Sequence, residues 1–180
     1  MKPVEIHTPL DQQTIENLKS GTMAALSGTI YTARDRAHLE FQKLLKAGKP
    51  LPFDPRGQVI YYAGPSPTPP GKVIGAVGPT TSYRMDPFTG IMLEAGIRGF
   101  IGKGKRSPLV RKQLVQWGGV YFATYGGAAA FLHTKTVSSE LIAFPQLGPE
   151  AVYRLEIVNF PLIVVNDIYS GDLYESAILK

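Results

Sequence analysis

Short apolar runs that end in polar or glycine-rich loops, and then give way to helix-patterned segments, recur along this chain. That rhythm points to an α/β domain with a sheet and flanking helices. Val4 to Leu10 reads as a strand, and Asp11 can cap a short helix that runs through Lys19. Met23 to Tyr31 (MAALSGTIY) is a half-buried strand. Asp35 is placed as the N-cap of a helix over Arg36 to Lys46, with Ala37, Leu39, Phe41, Leu44 and Leu45 as its apolar positions and Gly48 closing it. Gln58 to Gly64 and Val73 to Val77 read as strands, joined by a stiff proline-rich connection over residues 65–71. That connection resembles an SH3-type ligand in composition, but with a strand on either side it is better read as an internal loop. Phe88 to Ala95 is helix-like, and Arg98 to Ile101 is a short strand. Ser107 as N-cap with Pro108 behind it starts a helix to about Trp117. Val120 to Tyr125 is a further strand, followed by a turn of helix over Gly126 to Leu132. In the tail, Ala151 to Val158 alternates, while the run from Phe160, ended by Asn166-Asp167, is continuously apolar, of the kind found in buried strands. No repeat or linker divides the chain, so residues 1–180 are expected to form one domain.

Composition narrows the chemistry. The chain has no cysteine and three histidines, His7, His38 and His133, far apart in sequence. Disulfides, a cysteine nucleophile and thiolate ligation of zinc or an iron–sulfur cluster are therefore excluded for this chain, and a metal site of its own is not expected. No apolar run approaches the ~20 residues needed to cross a bilayer. The N-terminus lacks the apolar core of a signal peptide, so a cytoplasmic location is expected. The net charge of +5 favours an anionic partner. The densest basic stretch, Lys103 to Arg106 with Arg111 and Lys112, is short and lacks interleaved aromatics, which argues against nucleic acid and is largely explained by a solvated helix face.

The stretch richest in chemical groups is Gly78-Pro79-Thr80-Thr81-Ser82-Tyr83-Arg84-Met85-Asp86. It sits between a strand-like and a helix-like run, the location beyond a strand's carboxyl end where α/β proteins bind ligands. Its hydroxyl and acidic residues also suit an ordinary capped turn. Two other loops share its position and each presents a cation. Arg34 follows the second strand, where it could pair with Asp35 on the surface or bind a carboxylate in bidentate fashion. Lys103 lies between two glycines after the Arg98–Ile101 strand. If the strands share one sheet, Arg34, Arg84 and Lys103 converge beside Thr80 and Thr81 as a site for a dicarboxylate. A threonine hydroxyl acidified by close cations could also take a proton.

The order SGTIYTARDRAH (27–38), VIYYAGP (59–65), VGPTTSYRMD (77–86), GFIGKGKRS (99–107) and GGVYFATYGGAAA (118–130) resembles the β subunit of class I fumarate hydratase and L-tartrate dehydratase, which in single-chain members is the C-terminal domain. The resemblance runs from about residue 10 to the C-terminus. It implies a swivelling β/β/α fold. It also implies an α subunit carrying a [4Fe-4S] cluster, with α2β2 assembly and reversible hydration of fumarate to L-malate, or dehydration of L-tartrate. By the same resemblance Thr80 is the base, while Arg34, Arg84 and Lys103 contact the substrate carboxylates. Thr81 is read as orienting the loop and Asp86 as pairing with or capping its end. His38 is a supporting residue, more structural than catalytic. Ser82-Tyr83 stands where many members carry Ala-Gly or similar residues, which changes the bulk beside the site and leaves substrate choice open between fumarate and tartrate; Lys105, where an asparagine is common, is a smaller departure. A dicarboxylate-binding module without catalysis is the alternative.

Overall fold

The computed structural model describes residues 2–124 and 129–178. Within them lie seven strands, β1 (Val4–His7), β2 (Met23–Thr32), β3 (Val59–Tyr61), β4 (Gly99–Gly102), β5 (Val120–Ala123), β6 (Thr136–Ala143) and β7 (Val152–Asn166). The helices are α1 (Gln12–Asn17), α2 (Asp35–Lys46), α3 (Asp86–Ala95), α4 (Pro108–Trp117), α5 (Ala129–Leu132) and α6 (Leu173–Ile178). β1 to β5 are parallel neighbours in chain order, and β7 is antiparallel to β2, β5 and β6. Because β7 pairs with both β2 and β5, the ladder closes on itself: Ile163 has Met23 on one side and Ala123 on the other. The result is one α/β domain with a mixed sheet. No helix of the described residues is long and apolar enough to cross a membrane.

Successive strand residues point to opposite faces, and here both faces are buried. Val59, Tyr61, Ile101, Val120 and Phe122 enter one core with Leu26, Ile30 and Phe160. The alternate residues Ile60, Tyr62, Phe100 and Tyr121 enter a second core with Phe41, Met92, Leu93 and Leu114. That second core is roofed by helices, α2 packing on α3 and α3 on α4. Short continuous apolar runs such as VIYYA are what strands covered on both sides require. Losing the fully buried Phe41 ring from α2 would cost about 3–5 kcal/mol.

The helix ends follow the sequence in part. Asp11 caps α1 by accepting from Thr14 N at 2.7 Å, and Ser107 Oγ caps α4 by accepting from Val110 N with Pro108 behind it. Asp35 does not cap α2: it is the first helical residue, and Arg34, with extended backbone, occupies the cap position without a side-chain bond. The free donor Arg36 N instead reaches the Glu150 carboxylate at 3.0 Å, a group 114 residues away in the chain. Leu39, expected on the apolar face, is 45% exposed, and buried His38 takes its place on the inner stripe.

Val73 to Val77 is not a strand. Both edges of β3 are already taken by β2 and β4, so this segment has no open ladder to join. It folds over the first core, burying Ile74 and Val77, and its polar groups find local partners: Ser66 bonds to Ala76 twice, and the Tyr61 hydroxyl donates to Val77 O. The two expected tail strands are a single long β7, kinked at Asn159, which has a positive φ of 49° and lies beside a register shift in the pairing with β2. Asparagine is one of the few side chains that accepts this conformation. β3 is shorter than the expected run to Gly64. The edge strand β6, whose Val137 and Leu141 stay exposed, has no counterpart among the expected elements. Tyr125 and the Gly126–Ala128 part of the expected helix lie outside the described residues.

Candidate active site

The parallel order of β2, β3 and β4 puts the loops that follow them on one sheet edge, and these loops carry Arg34, Thr80 with Arg84, and Lys103. The convergence expected from sequence is thus present, although the middle loop leaves β3 rather than a separate Val73–Val77 strand. Backbone bonds fix the loops to one another. Thr80 N donates to Tyr62 O at the end of β3 (2.7 Å), Ser82 N to Lys103 O (2.9 Å), and Lys103 N to Thr80 O (3.3 Å). Thr81 and Lys103 form an isolated parallel bridge. A four-residue 3-10 turn, Ser82–Met85, then delivers Arg84 to the start of α3.

Arg84 Nη2 donates to Asp35 Oδ2 at 2.8 Å and to Thr80 Oγ1 at 3.3 Å. Asp35, freed from capping α2, therefore holds Arg84 rather than Arg34. The pair is about one-third exposed on each side, so it contributes at most about 1 kcal/mol to stability and acts chiefly to aim the guanidinium. Aimed this way, the cation places a donor on the threonine oxygen, a contact that favours the deprotonated hydroxyl. Arg34 stands at the same edge. Its Nε is buried without a partner among the described residues. Its Nη1 lies where a side chain at Gly64 would crowd it, a Cβ there falling 3.3 Å away. Lys103 is exposed, and its ammonium makes no bond among the described residues.

Beneath the edge is a buried polar layer. Arg106 was expected on a solvated helix face, but its side chain is 0% exposed. Its Nε donates to Asp86 Oδ1 (2.7 Å), Nη1 to the Tyr62 hydroxyl (3.3 Å) and Nη2 to Thr89 Oγ1 (2.5 Å). The guanidinium also lies against the rings of Tyr62, Phe100 and Tyr121. Burial works against its charge, but Tyr62 and Asp86 outweigh that, and its pKa is raised. Asp86 thus pairs across to the Lys103 loop rather than within its own, and its second oxygen accepts from Ser107 N at 2.8 Å. Buried Ser82 accepts from Lys103 N (3.1 Å) and shares a hydrogen bond with the Tyr121 hydroxyl (2.9 Å). A side chain on Gly102 would strike Ser82 Oγ and the Tyr62 ring, so glycine is required there. Sequence reasoning marked Ser82 only as a departure beside the loop and assigned no site role to Tyr62, Tyr121 or Arg106, since nothing in the GKGKRS pattern separates a buried arginine from solvated neighbours.

His38 is 1% exposed, stacked on Phe88 and edge-on to Phe41 and Tyr62. Its Nδ1 lies 2.8 Å from Arg34 O, so the proton is assigned to Nδ1, while Nε2 is buried without a partner among the described residues. Burial pushes its pKa down to about 4. It supports the Arg34 turn from behind and faces aromatic rings rather than solvent. The open cleft between α4 and Ser170, lined by Arg111 and Lys112, belongs to another part of the surface.

Residues 1–177 match the family model described as Fumarase C-terminus. The chain belongs to that family. Relatives in the Fumarase C-terminus family include "Fumarate hydratase 1, mitochondrial" of Leishmania major, 38% identical over 96% of this chain and 32% of its own length. "Fumarate hydratase class I, anaerobic" of Escherichia coli K12 is 34% identical over 98% of the chain and 33% of its own length. The chain thus spans about a third of the length of these fumarate hydratases. A protein of similar extent is the "Putative L(+)-tartrate dehydratase subunit beta" of Methanocaldococcus jannaschii, 38% identical over 92% of this chain and 88% of its own length.

Proposed function

We propose that this chain supplies one face of the active site of a hydro-lyase that reversibly hydrates fumarate to L-malate. The observation that carries the reading is the contact of Arg84 Nη2 with Thr80 Oγ1 at 3.3 Å, on an edge where Arg34 and Lys103 also lie. Family membership and the activity named for the fumarate hydratase relatives support it. A second reading, dehydration of L-tartrate, is favoured by the coextensive tartrate dehydratase relative. Both use the same groups on a four-carbon dicarboxylate.

In this mechanism Thr80 Oγ1 removes the proton from the carbon next to one carboxylate. The Thr80 hydroxyl first gives up its own proton to solvent, and Arg84, donating to that oxygen, stabilises the alkoxide that then takes the proton from carbon. As the C–H bond breaks, negative charge develops on the adjacent carboxylate as an aci-carboxylate dianion. Arg84 or Lys103 binds that charge more strongly than the ground-state carboxylate, which is how the pair raises kcat. Arg34 holds the other carboxylate through charge-assisted hydrogen bonds worth roughly 1.5–3 kcal/mol each. Thr81, bridged to Lys103, keeps the loop aligned.

The implied [4Fe-4S] cluster does not fit on this chain. It has no cysteine, and among the described residues no group of three His, Asp or Glu side chains could hold a metal. In the proposed enzyme the cluster belongs to an α subunit, in an α2β2 assembly, which would also close the open side of the site where Tyr83 is 62% exposed.

The test is an anaerobic assay of the chain co-purified with a cluster-bearing partner, following fumarate absorbance with L-malate and L-tartrate run in parallel. Fumarate turnover that requires both chains supports the first reading. Turnover of L-tartrate alone supports the second. A formed complex with intact cluster and no turnover of either overturns the enzyme reading and leaves a dicarboxylate-binding module.

A further inference from the structure

Resting on the hydro-lyase reading, we propose that Arg106 is a positioning residue whose buried contacts with Asp86, Tyr62 and Thr89 set the spacing of Thr80, Arg84 and Lys103. Each contact lands on a segment that bears one of those groups or is hydrogen-bonded to it. Asp86 lies two residues after Arg84 and opens α3. Tyr62, touched through its hydroxyl and ring, is the residue whose carbonyl accepts Thr80 N. Arg106 itself lies three residues after Lys103, and Asp86 bonds back to Ser107 N, so the Lys103 loop is tied at both atoms of one carboxylate.

Stability alone does not account for such an arrangement. The two partners are 0% and 14% exposed, and a buried ion pair gains little over well-packed apolar side chains of similar volume. What the fork-shaped guanidinium provides and an apolar side chain does not is a fixed set of directions, toward two positions of α3 and toward Tyr62 at the end of β3. Lysine can keep one charged bond to Asp86 but not the simultaneous contacts to Thr89 and Tyr62.

The experiment compares Arg106→Lys and the paired Arg106→Met/Asp86→Leu replacement, each assembled with the cluster-bearing partner, against Arg98→Lys as an off-site control. The Arg98 side chain bonds only to the carbonyls of Leu93 and Ile97 among the described residues. Folded fraction is read by thermal unfolding, and kcat and KM for the substrate that the wild type turns over. The positioning role predicts folded variants with KM raised about tenfold and kcat/KM lowered about 100-fold, the scale expected when reacting groups are misplaced by about 1 Å. Arg106→Lys should retain more activity than the apolar pair, and Arg98→Lys should keep wild-type KM. Folded variants with wild-type KM and kcat per folded molecule overturn the proposal.

Amide hydrogen exchange of the chain itself separates this proposal from the enzyme reading. In the paired variant the amides of Thr80, Ser82 and Lys103, whose acceptors the substitutions leave in place, should exchange at least tenfold faster, relative to those of β2 and β7. If the wild-type complex turns over nothing, the hydro-lyase reading falls and exchange alone decides the clamp. Unchanged protection at those three amides overturns it, and so does a variant so unfolded that β2 and β7 lose protection equally.

Discussion

Lowering the pH should destabilise this domain well before its carboxylates titrate, and His38 is the reason. The ring is 1% exposed and stacked among Phe41, Tyr62 and Phe88, with Arg106 on the electrostatically unfavourable side and only Arg34 O and Asp35 favouring a proton. Burial, the largest influence, lowers its pKa from the ordinary 6.5 to about 4. For a group whose folded pKa is depressed, the unfolded chain binds the proton first, so the associated stability is intact above pH 6.5 and is lost as pH falls toward 4. The gap of about 2.5 in pKa corresponds to about 3 kcal/mol at 1.36 kcal/mol per unit, with about 2 kcal/mol already gone at pH ~5. Urea unfolding of the isolated chain at pH 7, 6, 5 and 4 measures this directly, and the same series on His38→Asn supplies the reference. Asparagine can still donate to Arg34 O but does not titrate. The wild type should lose about 2 kcal/mol more than the variant between pH ~7 and pH ~5. Parallel curves for the two proteins, or an imidazole resonance of His38 that titrates near 6.5, would refute the argument.

Thr80→Ala should lower kcat by about 10²–10⁴-fold with a modest effect on KM, whereas Arg34→Ala should mainly raise KM; steady-state kinetics of the assembled enzyme separates the two. A Thr80→Ala enzyme with near-normal kcat would remove the base assignment. Ser107→Ala should cost about 1 kcal/mol in urea unfolding through loss of the α4 cap. Gly102→Ala should destabilise by about 1–3 kcal/mol, because its methyl meets Ser82 Oγ and Tyr62. Adding Ser82→Ala should recover part of that loss, and a double variant no more stable than the single one would assign the strain elsewhere.

What the sequence made readable was whatever depends on neighbours in the chain. Ser107-Pro108 announced the start of α4, Asp11 that of α1, and the apolar run around Val59 to Tyr61 a strand. Arg34, Thr80, Arg84 and Lys103 were legible as loop residues after strands, and the parallel order of β2, β3 and β4 brings their loops together. Illegible features depend on partners far along the chain. Asp35 has the composition of a cap, but a guanidinium 49 residues away claims its carboxylate. Val73 to Val77 has the composition of a strand, but no strand edge is open to it. Arg106 looks like a surface cation because its partners, Asp86, Thr89 and Tyr62, are 17 to 44 residues distant. Local pattern carries propensity, and which polar group meets which is decided only when the sheet is assembled.

The closing of the strand ladder has a kinetic meaning. The site loops are all in place by residue 103, yet β2 and β5 each keep an unsatisfied edge until residues 152–166 arrive to lie between them. A nascent or truncated chain that stops short of that segment would expose two templates for intermolecular pairing, the condition that leads strands to aggregate. Pairing of β2 with residues about 130 positions later raises the contact order, so closure is expected to be slower than the local β3–β4 and β4–β5 pairings. The last strand therefore acts as a gatekeeper of solubility for a site it does not itself furnish.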